Sequence, residues 1–549
     1  MTASCRNHVL RQVKSFIRCP FRPSEGVFIA VEQITYKNID PRTRGMIMTG
    51  LTVAMLIACF DGTIVGTCGP VIVEDLGGSG LYAWMITAYM LCETVMIPIA
   101  GKLSDLYGRK PLFLIGLGLF VLGSFIAGMS MSMEMFIACR AMQGLGGGIL
   151  IPVATAAVAD LYSPRERARM QGVLGAVFGI GSGIGPLLGG YIAEYISWHW
   201  IFYINIPLAA VAFFLTIKKF PTPISDGDVS IDVRGIALLT VMLVDVLLLF
   251  QWAGDKFEWL SVEAAAMVVA ALVLLAVFIR VEKAAVEPIL SPKLIHNRTV
   301  IMASVFMVIF GIGMMGAMMY SSMFAITIFQ LGTLEAGEYS LAMVAGMMIT
   351  VMASGALLNR TGYRPWLVAG PIVTFIGLYM MSKMTIGTEI SYYVSCLFIF
   401  GLGLGCMSAI IMTAVQNSST SREMGMTTSA VNLIRSIGST VGTAIFALVI
   451  GNRISDELHA LVPGIYDMIP HDTGVLDILA DPSYLPILMT PPGFEANVHN
   501  IILAFANSID YSFLVGGLII LILVVVGLFF KVQVPKDSED AETVADPEN

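Results

Sequence analysis

Four ionisable side chains, Asp61, Glu93, Arg140 and Asp245, stand inside long apolar runs of this 549-residue chain. A charge at such a place is costly, and it usually faces a cavity or another charge. The chemistry this allows is proton transfer. Removal from water favours the neutral form of a carboxyl group, and a neighbouring guanidinium favours the charged form. Moving Arg140 relative to Asp61 or Glu93 would therefore drive proton uptake and release. The same carboxylates could attract a cation, or the charges could form a fixed buried pair that holds helices together. Gln143 and Gly144 stand beside Arg140, and Arg435 is the corresponding buried cation of the second half.

A second cluster, "GKLSDLYGRK" at 101–110, lies between two apolar runs. Gly101 and Gly108 allow a tight turn and close helix approach. Asp105 can accept backbone N–H bonds at a neighbouring helix N-terminus and pair with Arg109. Such a knot can latch one conformation and break in another. A plain basic loop accounts for Lys102, Arg109 and Lys110, but not for Asp105 or the glycine spacing.

A third pattern is "GIGSGIGPLLGG" at 179–190. Gly181, Gly185 and Gly189 recur at about one-turn spacing, with Pro186 among them and Gly190 following. Small residues on one face let helices touch backbone to backbone, and proline bends a helix. Met302, Met307, Met314, Met315, Met318, Met319 and Met323 form a further cluster. Flexible thioethers suit a promiscuous apolar lining, but 35 methionines in the chain make a general composition bias the simpler reading.

No enzyme constellation, cofactor motif or metal-ligand spacing is present: neither CxxC nor HExxH occurs, and the six histidines are scattered. No basic stretch interleaves with aromatics, so nucleic acid is not an expected partner.

The elements that position these residues follow from composition. The chain is 56% hydrophobic and 13% charged, with mean hydropathy +0.82. Stretches such as Leu112–Met133 carry no charge. About 18 apolar residues suffice to cross ~30 Å of hydrocarbon as a helix. The sequence therefore reads as an all-α protein of the lipid bilayer. Fourteen spans are predicted, near 48–70, 81–100, 111–129, 134–157, 168–193, 199–217, 234–252, 260–280, 299–325, 338–358, 366–384, 389–414, 425–450 and 511–531.

Lys and Arg collect in the connections on one side, whereas the other holds only Lys256, Lys383 and Arg453. The positive-inside rule then predicts cytoplasmic termini. Tryptophans near span ends fit an aromatic belt. "HVLRQVKSFIR", within residues 1–45, spaces apolar residues on one helical face and could lie on an anionic membrane; a poorly ordered tail is the alternative. Six acids after Val532 read as a solvated tail.

The chain repeats internally. At an offset of 257, Arg165–Glu166, Gly181–Ser182 and Gly185 match Arg422–Glu423, Gly438–Ser439 and Gly442; at 254, Gly101, Leu103 and Gly108 match Gly355, Leu357 and Gly362. Two six-helix halves are expected, with helices seven and eight inserted. The predicted boundaries are 1–45 (N-terminal segment), 46–218, 219–298 (inserted pair), 299–531 with an outer loop about 452–510, and 532–549. Parallel halves of this kind hold substrate near the midplane and rock against each other.

"GKLSDLYGRK", with "DGTIVGTCGP", "RAMQG", "GIGSGIGPLLGG" and "WHWIFYINIP" in order, resembles the fourteen-helix drug:proton antiporter branch of the major facilitator superfamily over about 46–450. The departures are Leu106 where a basic residue is usual, Gly66 where Asn is common and His199 where Arg is common. The resemblance implies a monomeric, cofactor-free exporter in the cell membrane that exchanges protons for drug-like amphipathic or cationic small molecules. It associates the pattern around Gly181–Gly190 with exporters. A dedicated exporter of one metabolite, lipid or peptide has the same fold, and a non-transporting membrane receptor or scaffold is the rival of another class.

Overall fold

Helices account for the apolar runs because a buried backbone must satisfy its own hydrogen bonds. The computed structural model describes residues 39–77, 81–217, 220, 232–253, 256–259, 261–285, 287–290, 297–420, 423–461 and 494–532. The helices are α1 (Pro41–Leu76), α2 (Tyr82–Tyr107), α3 (Arg109–Ala127), α4 (Met133–Leu161), α5 (Pro164–Tyr195), α6 (His199–Tyr203, resumed at Asn205–Thr216), α7 (Val233–Trp252) and α8 (Val262–Ala284). They continue as α9 (Arg298–Thr327), α10 (Thr333–Thr361), α11 (Arg364–Met381), α12 (Ile390–Asn417), α13 (Met424–Leu461) and α14 (Phe494–Phe529). Among the described residues, thirteen of these are long and apolar enough to cross a membrane. The fourteenth is α5, whose glycines dilute its apolar character while it packs along α1 and α10.

Local signals set the starts. The Asp40 carboxylate accepts from Thr43 N at 3.2 Å, with Pro41 opening α1. Ser132 caps α4, Ser163 and Glu166 form a capping box on α5, and Asn297 caps α9. Gly108 alone separates α2 from α3, at φ +88°, and Gly362 holds the matching place between α10 and α11 at φ +74°. A side chain is strained in this region, so the sequence echo at an offset of 254 falls on the same backbone requirement in both halves.

One half is α1–α6 and the other α9–α14. Each has its own buried cluster, and the halves meet where α5 packs on α10 and α12, and where α2 and α4 pack on α13. The inserted α7 and α8 pack on each other. With α2 and α13 they share an apolar cluster of Val95, Ile99, Leu239, Leu243, Phe278 and Leu433.

Several helices exceed their predicted spans. α1 starts at Pro41, before the expected boundary at 46. α13 runs to Leu461 and α14 begins at Phe494, so the connection between them is narrower than the outer loop expected at 452–510. The added turns are polar, and apolarity alone cannot detect them. One is pinned by Arg453 Nη2 to Glu457 Oε1 at 2.6 Å, another by Asn507 Nδ2 donating to Glu457 Oε2 at 3.0 Å. The amphipathic stretch in residues 1–45, the middle of the outer loop and the acidic tail after Val532 lie outside the described residues.

Candidate functional site

A buried polar group in the first half is built on five helices. Asp61 of α1 and Arg140 of α4 form an ion pair, with residue exposures of 0% and 1%. Arg140 Nη1 also donates to Gln143 Oε1 at 3.0 Å, and Gln143 Nε2 donates to Asp61 Oδ1 at 2.9 Å. The i,i+3 spacing on α4 places both side chains on one face. Two residues not singled out from sequence complete the network. Asn205 of α6 donates to Asp61 Oδ1 at 3.1 Å, and Ser124 of α3 takes Gln143 Nε2 at 2.8 Å. The Arg140 guanidinium lies 4.3 Å from the Tyr89 ring centroid, a cation–π contact from α2. Asp61 is thereby bound by three different donors, and Arg140 is held on both its charge and its π face.

Glu93 does not join this network directly. It is half-buried on α2, in the electrostatic reach of Arg435, Arg140 and Asp61. Arg435 of α13 is also half-buried, 5.5 Å from the Phe178 ring centroid of α5. Beside them, the Thr94 and Ser436 hydroxyls meet across the two halves at 3.0 Å. Asp245 sits apart on α7 among the inserted helices, and among the described residues its Oδ2 has no hydrogen-bond partner. Of the clustered methionines, Met307 and Met314 are buried in the core of the second half, whereas Met319 is exposed.

The decapeptide forms a second site at the end that carries the basic connections. The Asp105 carboxylate accepts from Gly425 N at 2.9 Å and from Met426 N at 2.7 Å, which caps the first turn of α13 from the opposite half. Arg109 Nη1 reaches Asp105 Oδ1 at 2.6 Å, and its Nε donates to Asp160 Oδ2 of α4 at 2.9 Å. Gly101 has no room for a side chain: a methyl there would overlap Ser429 and the Gly425 carbonyl. Its repeat partner Gly355 approaches the α5 backbone at Ala168 and Arg169 in the same way. Lys110, in the first turn of α3, makes none of these contacts; Lys102 instead pairs with Glu287 after α8 at 2.6 Å.

Other bonds close the same end. Arg167 of α5 donates to Asn417 Oδ1 at 3.1 Å, and Gln416 Nε2 donates to Thr155 O at 2.7 Å. Among the described residues, the polar bonds between the halves lie here or at Thr94–Ser436.

On α5, Gly181 and Gly185 face α1. Added methyls would press on Cys59 and overlap Thr63 Oγ1. Gly189 is buried and Gly190 half-buried on the same helix. Pro186 follows Gly185, and its side chain lies outside the described residues.

Two pseudo-symmetric helical halves, charges sealed at membrane depth and a polar closure at one end define a membrane transporter rather than an enzyme. The model of the Major Facilitator Superfamily matches residues 51–443, and the chain belongs to that family. It is 33% identical over 507 residues to the "Multidrug transporter protein MdtP" of Bacillus subtilis, covering 89% of this chain and 93% of that one. It is 32% identical over 485 residues to "Multidrug resistance protein 3" of the same organism, covering 88% and 94%. The fold is similar to that of the human organic anion transporter MFSD10, with TM-score 0.59 over 89% of this chain and 100% of the other, at 15% identity.

Proposed function

We propose that this chain is a proton-coupled exporter of drug-like amphipathic or cationic compounds, of the fourteen-helix branch. It works as a monomer by alternating access in the cell membrane, with both termini in the cytoplasm. The observation that carries the reading is the Asp61–Arg140–Gln143 network: a carboxylate sealed from water at membrane depth, its charge balanced by a single guanidinium. The similarity to two bacterial multidrug proteins over nearly the whole chain supports the substrate class.

The cycle follows from which contacts can break. With the basic, cytoplasmic end closed, half-buried Glu93 and Arg435 communicate with the outside, and Asp61 gains access when the bonds around it open. A proton arriving on Asp61 or Glu93 removes the negative charge that Arg140 or Arg435 balances. Loss of the Glu93–Arg435 attraction frees the halves directly, and loss of the Asp61–Arg140 attraction loosens α1 against α4 within the first half; the halves then rock, and the α13 N-terminus leaves Asp105. Substrate then enters from the cytoplasm, the proton departs, and renewed pairing returns the halves to the closed end. Each turn moves protons inward and substrate outward. Asp105, Arg109, Gly101 and Gly108 act as the latch; Gly181, Gly185, Gly189 and Gly190 keep α5 close to its neighbours throughout.

Export from cells tests the reading. Cells expressing the chain should retain less of some cationic amphiphiles than cells carrying Asp61→Asn at equal abundance. Equal retention of every member of a panel of cationic, zwitterionic and neutral amphiphiles would refute it.

A further inference from the structure

Glu93 and Arg435 are opposite charges contributed by opposite halves of the molecule. They feel each other's field, and the Cys59 thiol of α1 lies in the field of both. Their neighbours in sequence, Thr94 and Ser436, touch at 3.0 Å, so α2 and α13 meet at this level. Both charged side chains are only half-buried. Among the described residues, neither makes a hydrogen bond or an ion pair within 4 Å, whereas Asp61 and Arg140 are fully engaged. The Arg435 guanidinium lies over the Phe178 ring, 5.5 Å from its centroid. This is a carboxylate, a guanidinium and an aromatic ring from three helices of both halves, with the charges balanced in number but not locked together.

We propose that Arg435 sets the charge selectivity of transport by competing with the substrate for Glu93. A cationic amphiphile pairs with the Glu93 carboxylate and lays its apolar body toward Phe178. Arg435, the resident counter-ion, must yield its place in the field. An opposite charge nearby stabilises Glu93 when no substrate is bound, and that stabilisation is subtracted from the affinity of every cation. An anionic compound faces the reverse balance: it meets Arg435 but also the Glu93 charge. The pair therefore holds affinity for cations to a moderate level and admits zwitterions whose two charges span the site. This inference rests on the export of amphiphiles proposed above.

Binding of two shape-matched probes tests it. Tetraphenylphosphonium and tetraphenylborate differ in charge and hardly in size. Their dissociation constants would be measured at pH 8 for the intact protein in nanodiscs, against protein-free nanodiscs. Arg435→Gln should bind tetraphenylphosphonium roughly tenfold more tightly than the parent, the scale of one nearby charge at intermediate dielectric. Arg435→Lys keeps the charge and should stay near the parent value. Glu93→Gln should weaken the cation roughly tenfold and strengthen tetraphenylborate. Arg435→Gln and Arg435→Lys with equal affinities for the cation would overturn the competition. A parent that binds neither probe above the protein-free level, in a preparation that exports no amphiphile from cells, would instead overturn the export reading on which the inference rests.

Discussion

Asp105 of α2 caps the N-terminus of α13, a helix more than 300 residues away in sequence and in the other half of the molecule, through Gly425 N and Met426 N. The carboxylate thus satisfies two amides that the helix cannot satisfy itself, and its charge meets the positive end of the helix dipole. Arg109 and Asp160 hold it in that orientation. An amide side chain in its place keeps one acceptor and loses the charge.

Asp105→Asn should therefore lower transport several-fold while membrane abundance stays near that of the parent. The cap is worth about 1 kcal/mol, enough to shift a two-state balance several-fold without unfolding the chain. Transport rates normalised to immunoblot abundance check this. Unchanged transport would remove the latch role.

Arg140→Ala should cost about 3–5 kcal/mol of stability, because it strands the fully buried Asp61 carboxylate without its counter-ion. Asp61→Asn should cost less, since Gln143 and Asn205 remain to hydrogen-bond it and Arg140 keeps Gln143 Oε1 and the Tyr89 ring. Adding Asp61→Asn to Arg140→Ala should recover part of the loss. Thermal unfolding followed by size-exclusion fluorescence would show the order parent, Asp61→Asn, double variant, Arg140→Ala. Equal stability of the last two would mean the charge is not stranded.

Gly185→Ala should impair folding or export, because the added methyl overlaps Thr63 Oγ1 on α1. The nearest obstacle is a side-chain atom, so Thr63→Ala should restore much of the loss. Abundance and efflux of the single and double variants test the contact. Failure of the rescue would place the constraint on the backbone of α1.

Gly387 lies exposed in the connection from α11 to α12, with open space around it, and Tyr107 is exposed at the opposite, basic end. With native cysteines removed, Gly387→Cys should react with an impermeant maleimide in intact cells, and Tyr107→Cys only after lysis. The reverse pattern would invert the orientation.

The sequence already carried the helices, the repeat and the ionisable residues, because apolar length and intramembrane charge are properties of side chains. It pointed to Arg109 and to a helix N-terminus as partners of Asp105, but not to which helix, since backbone amides at Gly425 and Met426 have no signature of their own. Asn205 and Ser124 were missed for another reason. Each is one small polar residue in an apolar stretch, and only the approach of α6 and α3 brings Asn205 to Asp61 and Ser124 to Gln143. Asn205 within "FYINIP" did offer a faint signal. The polar turns of α13 beyond 450 escaped because "GNRISDELHA" has helix-pairing charges but little apolarity. Arg435 was visible as a buried cation, yet its relation to Glu93 exists only once the two halves close on each other.

The most direct test of the account is the proton linkage of export. Inverted membrane vesicles, with potassium and valinomycin clamping the membrane potential, would be given an acid interior and external ethidium. The account predicts concentrative ethidium uptake that collapses when nigericin removes the pH gradient, and that Asp61→Asn or Glu93→Gln abolishes while the dye still binds. Uptake that persists after nigericin, or that both carboxylate variants sustain at the parent level, would contradict it.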